Sequence, residues 1–281
     1  MNEQFTLLGV FAHPDDELSM GGCLVRYALQ GVRCIVACAT RGDGPDAQSS
    51  DPAITTREAL GRARLEELAC SCRTLGIAPP LLLGWQDGEL DTLDLEEAAG
   101  AVARLLRDLR PQVVVTHGPE GGYGHPDHIA VSRIVTRAWE LAGDPASARD
   151  EPAKLYYTAI PRSILQHSPQ LAQRRADIRG AQLPFRGVAD EAITTVVDIA
   201  AVQARKDAAR ACHRTQFQPA PDGQPRGFFS DLPEEMRRRL LSHERFVLAR
   251  TRGLTPAVPE TGLFDGLPAP RTSHLAQGRD L

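Results

Sequence analysis

Short apolar runs recur along the first half of the chain, and longer stretches with helical periodicity separate them. Strands that are buried on both faces of a sheet appear as nearly continuous apolar runs. Their alternation with amphipathic helices is typical of parallel βαβ units. The sequence therefore predicts an α/β fold in which helices flank a mostly parallel sheet. The four strands predicted in this half lie at 5–12, 32–39, 80–84 and 112–117.

Two of the predicted helices carry clear end signals. The first spans 56–75 and is followed by Gly76, a residue suited to the left-handed C-terminal cap. The second begins with Asp94 and Glu97, which have the spacing of a capping box, and ends before Pro111. The apolar stripe of the first helix contains Leu60, Ala63, Leu68, Cys72 and Leu75.

After residue 150 the pattern weakens, with strands predicted at 155–160 and 193–199 and a helix at about 199–214. Pro and Gly concentrate in 216–230 and 253–281, which predicts loops and a loosely held end. We expect this half to decorate the first half, giving one domain with a C-terminal extension. The predicted division is a single domain over 1–253, with a core over 1–150 and a decorating part over 151–253, and a loosely ordered tail over 254–281.

Composition narrows the class of protein. Of the 281 residues, 42% are hydrophobic and 24% are charged, close to the averages of globular proteins. The 32 basic and 36 acidic residues give a net charge of −4, without the positive excess that binding to nucleic acid requires. No stretch reaches the roughly 20 apolar residues that cross a bilayer. We therefore expect a protein that binds neither nucleic acid nor membrane.

The cysteines favour a reducing compartment. The chain has six, mostly within apolar stretches, and none forms the Cys-x-x-Cys pair of zinc ribbons and thioredoxin-like sites. The first residues lack the positively charged segment and the cleavage site of a secretion signal. We therefore expect a cytoplasmic location.

Two similar turns follow predicted strands. Residues 11–17 contain Phe-Ala-His-Pro-Asp-Asp-Glu, and residues 121–128 contain Gly-Gly-Tyr-Gly-His-Pro-Asp-His. Proline suits the first position of a helix, because its missing N–H and fixed φ cost nothing there. We therefore predict that His13 and His125 are helix N-caps. Both turns should lie at the carboxyl ends of parallel strands, where open α/β sheets bind their ligands.

Spacing within the two turns indicates a metal site. Residues three apart in a first helical turn can point the same way, which pairs His13 with Asp16 and His125 with His128. Two imidazole nitrogens and one carboxylate that leave a coordination position open are typical of catalytic zinc. We choose His13, Asp16 and His128 as the ligands of one zinc ion, with ferrous iron as an alternative.

Each turn also has an explanation without a metal. A histidine at an N-cap and an aspartate in a first turn are favourable through capping and the helix dipole. The occurrence of two such turns, each after a parallel strand, favours the metal site.

The two turns, Ala-His-Pro-Asp-Asp-Glu at 12–17 and Gly-His-Pro-Asp-His at 124–128, resemble the LmbE/PIG-L family of zinc-dependent N-deacetylases. The resemblance implies a Rossmann-like fold and activity on N-acetylglucosaminyl compounds and related amides. The longer string over 121–128 looks most like the branch that acts on mycothiol precursors and thiol conjugates. Further similar segments are 64–76, 83–90, 206–216 and 263–267.

Four residues of the turns are candidates for catalysis. Asp15 is the candidate general base, a role that the resemblance also implies. His125 can donate to the oxyanion or protonate the leaving amine, and Asp127 can orient the His125 imidazole. Tyr123, between glycines, offers a phenol to the oxyanion. The alternatives are an ordinary first-turn aspartate for Asp15 and a packing aromatic for Tyr123.

Other polar residues are candidates for substrate binding. Arg64 on the 56–75 helix can hold sugar hydroxyls or a phosphate, or can simply pair with Glu67. Asp87 can accept hydrogen bonds from sugar hydroxyls, although an Asp-Gly turn explains it nearly as well. His117, at a strand end, is a candidate for supporting a ligand, and His213 is predicted to be structural.

These features predict an enzyme that removes the acetyl group from the nitrogen of an N-acetylglucosaminyl small molecule. One alternative keeps the metal and cleaves a thiol-conjugate amide. Another is a metal-dependent carbohydrate-binding protein without catalysis. The absence of Gly-x-Ser-x-Gly, Walker A and His-Glu-x-x-His motifs gives no support to other hydrolase chemistry. A homo-oligomer is compatible with the sequence.

Overall fold

The four strands predicted in the first half are all present, each somewhat shorter than its apolar run. The computed structural model describes residues 4–143, 151–167, 175–217 and 234–268. The strands are β1 (Thr6–Phe11), β2 (Arg33–Cys38), β3 (Leu81–Leu82) and β4 (Val113–Thr116). The helices between and after them are α1 (Gly21–Leu29), α2 (Arg57–Leu75), α3 (Leu95–Leu109), α4 (Gly121–Gly124) and α5 (Pro126–Leu141).

The second half adds strands on one side of the sheet and a separate hairpin. The helix predicted over 199–214 is broken into a short 3₁₀ turn, Ala200–Val202, and two helices. Most of the loop predicted over 216–230 lies outside the described residues. The elements are β5 (Lys154–Thr158), α6 (Arg162–His167), β6 (Arg175–Ile178), β7 (Ala181–Pro184), β8 (Thr195–Asp198), α7 (Gln203–Arg210), α8 (Arg214–Phe217), α9 (Glu234–Leu241) and β9 (His243–Thr251).

The main sheet has seven strands in the order β3-β2-β1-β4-β5-β9-β8. The first five in this order run parallel to one another, while β9 is antiparallel to both of its neighbours. The mostly parallel α/β fold predicted from the sequence is confirmed. Strand β1 lies beside β4, so the turns that follow these two strands emerge at the same edge of the sheet.

Both faces of the sheet are buried, which explains the continuous apolar runs. Leu7 and Phe11 of β1 pack into the cluster on one face, with side chains of α1 and α2. Leu8 and Val10 point to the other face, against α3 and α5. The strand is therefore fixed between two apolar layers, and its carboxyl end is held in place.

The predicted helix ends are confirmed. The Thr56 hydroxyl accepts a hydrogen bond from the Ala59 N–H at the start of α2, and Gly76 ends the helix with φ 77°. The Asp94 carboxylate caps α3 by accepting from the Glu97 N–H at 2.9 Å. Among the described helices, none combines the length and the apolar content that crossing a membrane requires.

The tail predicted to be loose from residue 254 is in part an integral piece of the core. Glu260 is buried and accepts hydrogen bonds from Lys154 at 2.5 Å and from the Tyr156 hydroxyl at 2.6 Å. Leu263 is fully buried in the cluster around β1. The expectation is wrong here because Lys154 is a buried cation on β5 that needs a partner, and composition does not reveal that pairing. Residues 269–281 lie outside the described residues.

The structure joins Cys70 of α2 to Cys212, which follows α7, by a disulfide. This bond was not expected from a cysteine pattern that favours a reducing compartment. The two cysteines are 142 positions apart, so the pairing cannot be predicted from a local spacing motif. The other four cysteines are free and buried.

Replacing Glu260 tests the role of the tail. Glu260→Ala leaves Lys154 as an uncompensated buried charge, and we expect the free energy of unfolding to fall by about 3–5 kcal/mol. Chemical denaturation measures this loss. The control is Glu58→Ala, which removes an exposed ion pair with Arg62 and should cost at most about 1 kcal/mol. Equal losses in the two variants would show that the tail does not stabilise the core.

Candidate metal and catalytic site

The turn after β1 departs from the helix that the sequence predicts. Asp15 has φ 106°, in the left-handed region, and a 3₁₀ helix begins only at Asp16. His13 is therefore not an N-cap, and that expectation is wrong. A non-glycine residue in such a conformation costs of order 1–3 kcal/mol and persists where its surroundings fix it. One such contact is the Asp15 N–H, which donates to the Glu17 carboxylate at 2.9 Å.

The turn after β4 follows the prediction. His125 is the N-cap of α5, Pro126 occupies the first position of the helix, and the His125 Nδ1 accepts a hydrogen bond from the Asp127 N–H at 3.1 Å. His128 then lies one turn into the helix, on the face toward β1. The two turns meet at the carboxyl edge of the sheet.

The structure brings the three predicted ligands together. His13 Nδ1 lies 3.2 Å from His128 Nε2 and 3.4 Å from an oxygen of Asp16, and His128 Nε2 lies 3.3 Å from the other oxygen of Asp16. Ligand atoms bound to tetrahedral zinc at about 2.0–2.1 Å are about 3.3–3.4 Å apart. The spacing and the donor set therefore fit a zinc ion.

A second group of donors, His13, His125 and Asp127, also has ligand atoms within 4.8 Å of one another. In this group His125 Nδ1 and both oxygens of Asp127 accept backbone N–H groups, whereas in the first group Asp16 accepts one, on Oδ2. The Asp127 carboxylate accepts from the Gly88 N–H at 2.7 Å and from the Leu90 N–H at 3.3 Å. The first group is therefore the better candidate for binding a metal.

Asp87 and His117 contact the candidate ligands without belonging to the ligand set. The His13 Nε2 lies 3.0 Å from the Asp87 carboxylate. His117 lies 3.3 Å from the Asp16 carboxylate and stacks on the His128 ring at a centroid distance of 3.9 Å. Partners of this kind orient ligands and tune their basicity. The position of His117 at a strand end was the signal that marked it in the sequence.

Asp87 is not placed as a substrate-binding residue would be. It is buried, one oxygen faces His13, and the other accepts from the Gly44 N–H at 2.5 Å. Burial opposes ionisation, but the hydrogen bond and charge of His13 hold the pKa of Asp87 well below its usual value. The Asp87 carboxylate therefore orients the His13 ring, because one of its oxygens contacts His13 and the other accepts the Gly44 N–H.

Asp15 lies beside the ligands, and its carboxylate accepts a hydrogen bond from Arg64 at 3.2 Å. Burial raises the pKa of Asp15 to about 6, against the opposing charge of Arg64. Arg64 also donates to the backbone carbonyls of Gly42 at 2.9 Å and Pro14 at 2.6 Å. The guanidinium is therefore engaged with protein groups, which differs from the expected contact with a sugar or phosphate.

Asp127 does not orient the His125 ring in the predicted way. Its carboxylate accepts from the backbone of residues 88 and 90, and no hydrogen bond joins it to the His125 ring within the described part of the chain. The Asp127 backbone N–H does the orienting instead. Since His125 Nδ1 accepts that bond, the neutral ring carries its proton on Nε2. Burial and the nearby His13 lower the pKa of His125 to about 4, which favours this neutral form.

Tyr123 lies between Gly122 and Gly124, which both adopt positive φ, 69° and 85°. Its ring centroid is 5.7 Å from that of His125 and 5.6 Å from that of His128. Burial raises the pKa of the Tyr123 phenol above its usual value, so the hydroxyl keeps its proton. The ring also packs on Phe185, at a centroid distance of 5.3 Å, so Tyr123 is a packing aromatic that lies beside the two histidines.

The fold and this arrangement of donors together are those of a metal-dependent hydrolase. The sequence profile described as PIG-L, GlcNAc-PI de-N-acetylase, matches residues 8–139. A protein of Thermomonospora curvata named 1D-myo-inositol 2-acetamido-2-deoxy-alpha-D-glucopyranoside deacetylase is 37% identical, covering 93% of this chain and 97% of that protein. The chain belongs to the PIG-L/LmbE family of de-N-acetylases.

Solved structures with the same fold have different activities. The N,N'-diacetylchitobiose deacetylase of Pyrococcus horikoshii gives a TM-score of 0.59 at 21% identity, over 86% of this chain and 83% of that chain. The 4-carboxy-2-hydroxymuconate hydratase of Pseudomonas putida gives 0.61 at 18% identity, over 90% of this chain and 100% of that chain. At these identities the likeness concerns the fold alone, so the reaction has to be argued from the site.

The support that Asp87 gives to His13 can be measured as metal affinity. Asp87→Ala removes the partner of the His13 Nε2, and we expect zinc affinity to fall by about 10–100-fold. Competition with a chromogenic chelator measures the dissociation constant. Glu89→Ala, an exposed acidic residue in the same loop, is the control and should leave the affinity unchanged. An unchanged affinity in Asp87→Ala would remove this residue from the metal site.

Proposed function

We propose that the protein hydrolyses the acetamide of an N-acetylglucosaminyl small molecule, releasing acetate and a free amine. The favoured substrate is the compound in the names of its relatives, 1D-myo-inositol 2-acetamido-2-deoxy-alpha-D-glucopyranoside. The observation that carries the proposal is the meeting of His13, Asp16 and His128, with Asp15 on one side and His125 nearby. This arrangement supplies what amide hydrolysis needs.

We assign His13, Asp16 and His128 as the residues that hold the metal. Zinc suits two imidazoles and one carboxylate, and ferrous iron suits the same set. When bound, zinc would lower the pKa of a water molecule towards about 7 and polarise the amide carbonyl.

Asp15 is assigned as the general base that takes a proton from the attacking water. A bound dication would favour the ionised form of the Asp15 carboxylate, which is the form that accepts a proton, so position matters more for this role than a raised pKa. Arg64 fixes the direction of the carboxylate through the hydrogen bond at 3.2 Å. We therefore assign Arg64 to positioning the base.

His125 is assigned as the donor to the oxyanion that forms when water adds to the amide. Its neutral ring has the proton on Nε2, away from the Asp127 N–H that holds Nδ1. A donor that is fixed before the reaction stabilises developing charge without reorganisation. The Tyr123 hydroxyl is a second donor that the loop can bring to the same oxygen.

A panel of amides tests the substrate and the metal together. The panel contains N-acetylglucosamine, N-acetylglucosaminyl-inositol, N-acetylglucosaminyl-malate, diacetylchitobiose and a mycothiol S-conjugate. We expect the zinc-loaded protein to release amine fastest from the inositol compound, and the metal-stripped protein to release none. Preference for the S-conjugate would instead indicate the amidase. Tight binding of a panel member without turnover would indicate a carbohydrate-binding protein and would overturn the proposal.

Asp15→Asn tests the base. The amide keeps the shape of the side chain but cannot accept the proton, so we expect kcat to fall by about 10²–10⁴-fold. The number of zinc ions bound per chain should not change, because Asp15 is not among the assigned ligands. Asp108→Asn, on the exposed face of α3, is the control for the loss of one charge. Turnover close to that of the unaltered protein would exclude Asp15 as the base.

A further inference from the structure

Glu17 is a fully buried carboxylate directly beneath the turn that carries Asp15. One of its oxygens accepts the Asp15 N–H at 2.9 Å. The other accepts the Ser71 hydroxyl at 2.6 Å and lies 2.7 Å from His213 Nε2. A buried carboxylate is costly to place unless it is well bonded, and this one is bonded on both oxygens.

The two anchors of Glu17 come from different parts of the chain. Ser71 lies on α2 and is fully buried. His213, also fully buried, lies between α7 and α8. Its neighbour Cys212 forms the disulfide with Cys70, which is next to Ser71. The anchors therefore stand on one cross-linked unit, and Glu17 is held against that unit.

The residue that Glu17 contacts is the one with the unusual backbone. Asp15 has φ 106°, and its position depends on contacts that keep it there. Arg64 holds its carboxylate, and Glu17 holds its N–H. Loss of the Glu17 contact would allow the peptide to rotate, and the carboxylate would move with it. The neighbouring Asp16 is held separately, through the His13 N–H that donates to its carboxylate at 2.7 Å.

We propose that Glu17, anchored by Ser71 and His213, is a positioning residue that fixes the backbone of Asp15 in its reactive orientation. This inference depends on the proposed function only for the effect on turnover. It assigns a role to three residues that are not among the candidate ligands or catalytic groups, namely Glu17, Ser71 and His213. His213 thereby connects the C-terminal half of the chain to the base.

The first test replaces Glu17 with residues of similar size. Glu17→Leu removes both acceptors, and we expect kcat to fall by about 100-fold, the loss typical of a small displacement at a reacting group. KM should change by less than about 3-fold, and zinc content should stay the same, since no ligand is removed. Glu17→Gln retains an acceptor for the Asp15 N–H and should recover part of the lost kcat. If Glu17→Leu loses zinc in proportion to activity, the role belongs to the metal and the proposal is wrong.

Glu244 offers a matched control. It is also buried, and its carboxylate accepts from the Gly22 and Cys23 N–H groups, both at 2.7 Å, and from Lys206. Glu244→Leu should lower the melting temperature to a similar extent while kcat stays within about twofold. A loss of kcat equal to that of Glu17→Leu would mean that any buried carboxylate near α1 has the same effect, and would overturn the proposal.

A double-mutant cycle tests whether Glu17 acts through Asp15. In the Asp15→Asn background we expect Glu17→Leu to cause no further loss of kcat, because the residue that it positions has already been disabled. Independent, multiplicative losses would show that Glu17 acts elsewhere. If Glu17→Leu does not fold, Ser71→Ala removes only one anchor and should still lower kcat by about 3–10-fold, whereas Ser71→Thr should keep it.

Amide hydrogen exchange gives a readout that does not need turnover. The Asp15 N–H is bonded to a buried acceptor, so we expect it to be protected in the zinc-loaded protein and to exchange at least about 10-fold faster in Glu17→Leu. Equal exchange rates in the two proteins would overturn the positioning role. A protein that hydrolyses none of the amides, yet shows the expected change in exchange, would overturn the proposed function and leave the positioning of Asp15 intact.

Discussion

The site depends on the pairing of β1 with β4 as adjacent parallel strands. Their register, with Leu8 opposite Val114 and Gly9 opposite Val115, brings the two strand ends to the same edge of the sheet. Both strands are buried on two faces, so neither end can shift without disturbing the core. The two turns are thereby held close enough for side chains on separate helical segments to share one ion. The precision of the site comes from the packing of the sheet, which fixes both the turn with His13 and Asp16 and the first turn of α5 with His128.

Charge balance is the second constraint on the site at the carboxyl ends of β1 and β4. Asp87 and Asp127 are buried there and Asp16 nearly so, while Arg64 pairs with Asp15 at 3.2 Å and Arg179 lies 4.0 Å from Asp127. Burial lowers the pKa of His13, but hydrogen bonds to Asp127, Asp16 and Asp87 outweigh it and raise the pKa well above its usual value. The surroundings of His13 thus favour positive charge. A divalent cation satisfies the same need and leaves the imidazole neutral for coordination.

Local sequence signals were sufficient for β1 to β5 and β8, for the ends of α2 and α3 and for the spacing that selects the three candidate ligands, but they did not predict β6, β7 or β9. They failed where a distant partner decides the outcome. Asp87 and Arg64 carry groups suited to sugars, yet His13 and the backbone of residues 14 and 42 occupy them. The left-handed turn at Asp15 had no visible signal either, because its contact with Glu17 depends on a histidine from the far half of the chain. The contacts of Asp15 with Glu17 and Arg64 outweigh the local preference for a helix directly after His13-Pro14.

The position of β9 has a consequence for the order in which the molecule is assembled. This strand is inserted between β5 and β8, and the Lys154 of β5 meets its acidic partner only at residue 260. Strands β1 to β4 can pair with one another before the second half of the chain is made, because the pairings among these four strands lie within the first half. Their packing is completed later, by β5 beside β4 and by Leu263 in the cluster around β1. The other side of β5 stays open until β9 has been synthesised. Such pairing between distant segments slows folding and exposes strand edges meanwhile. During synthesis the nascent chain therefore carries a β5 that is paired on one side only, and β9 later converts that open side into sheet interior.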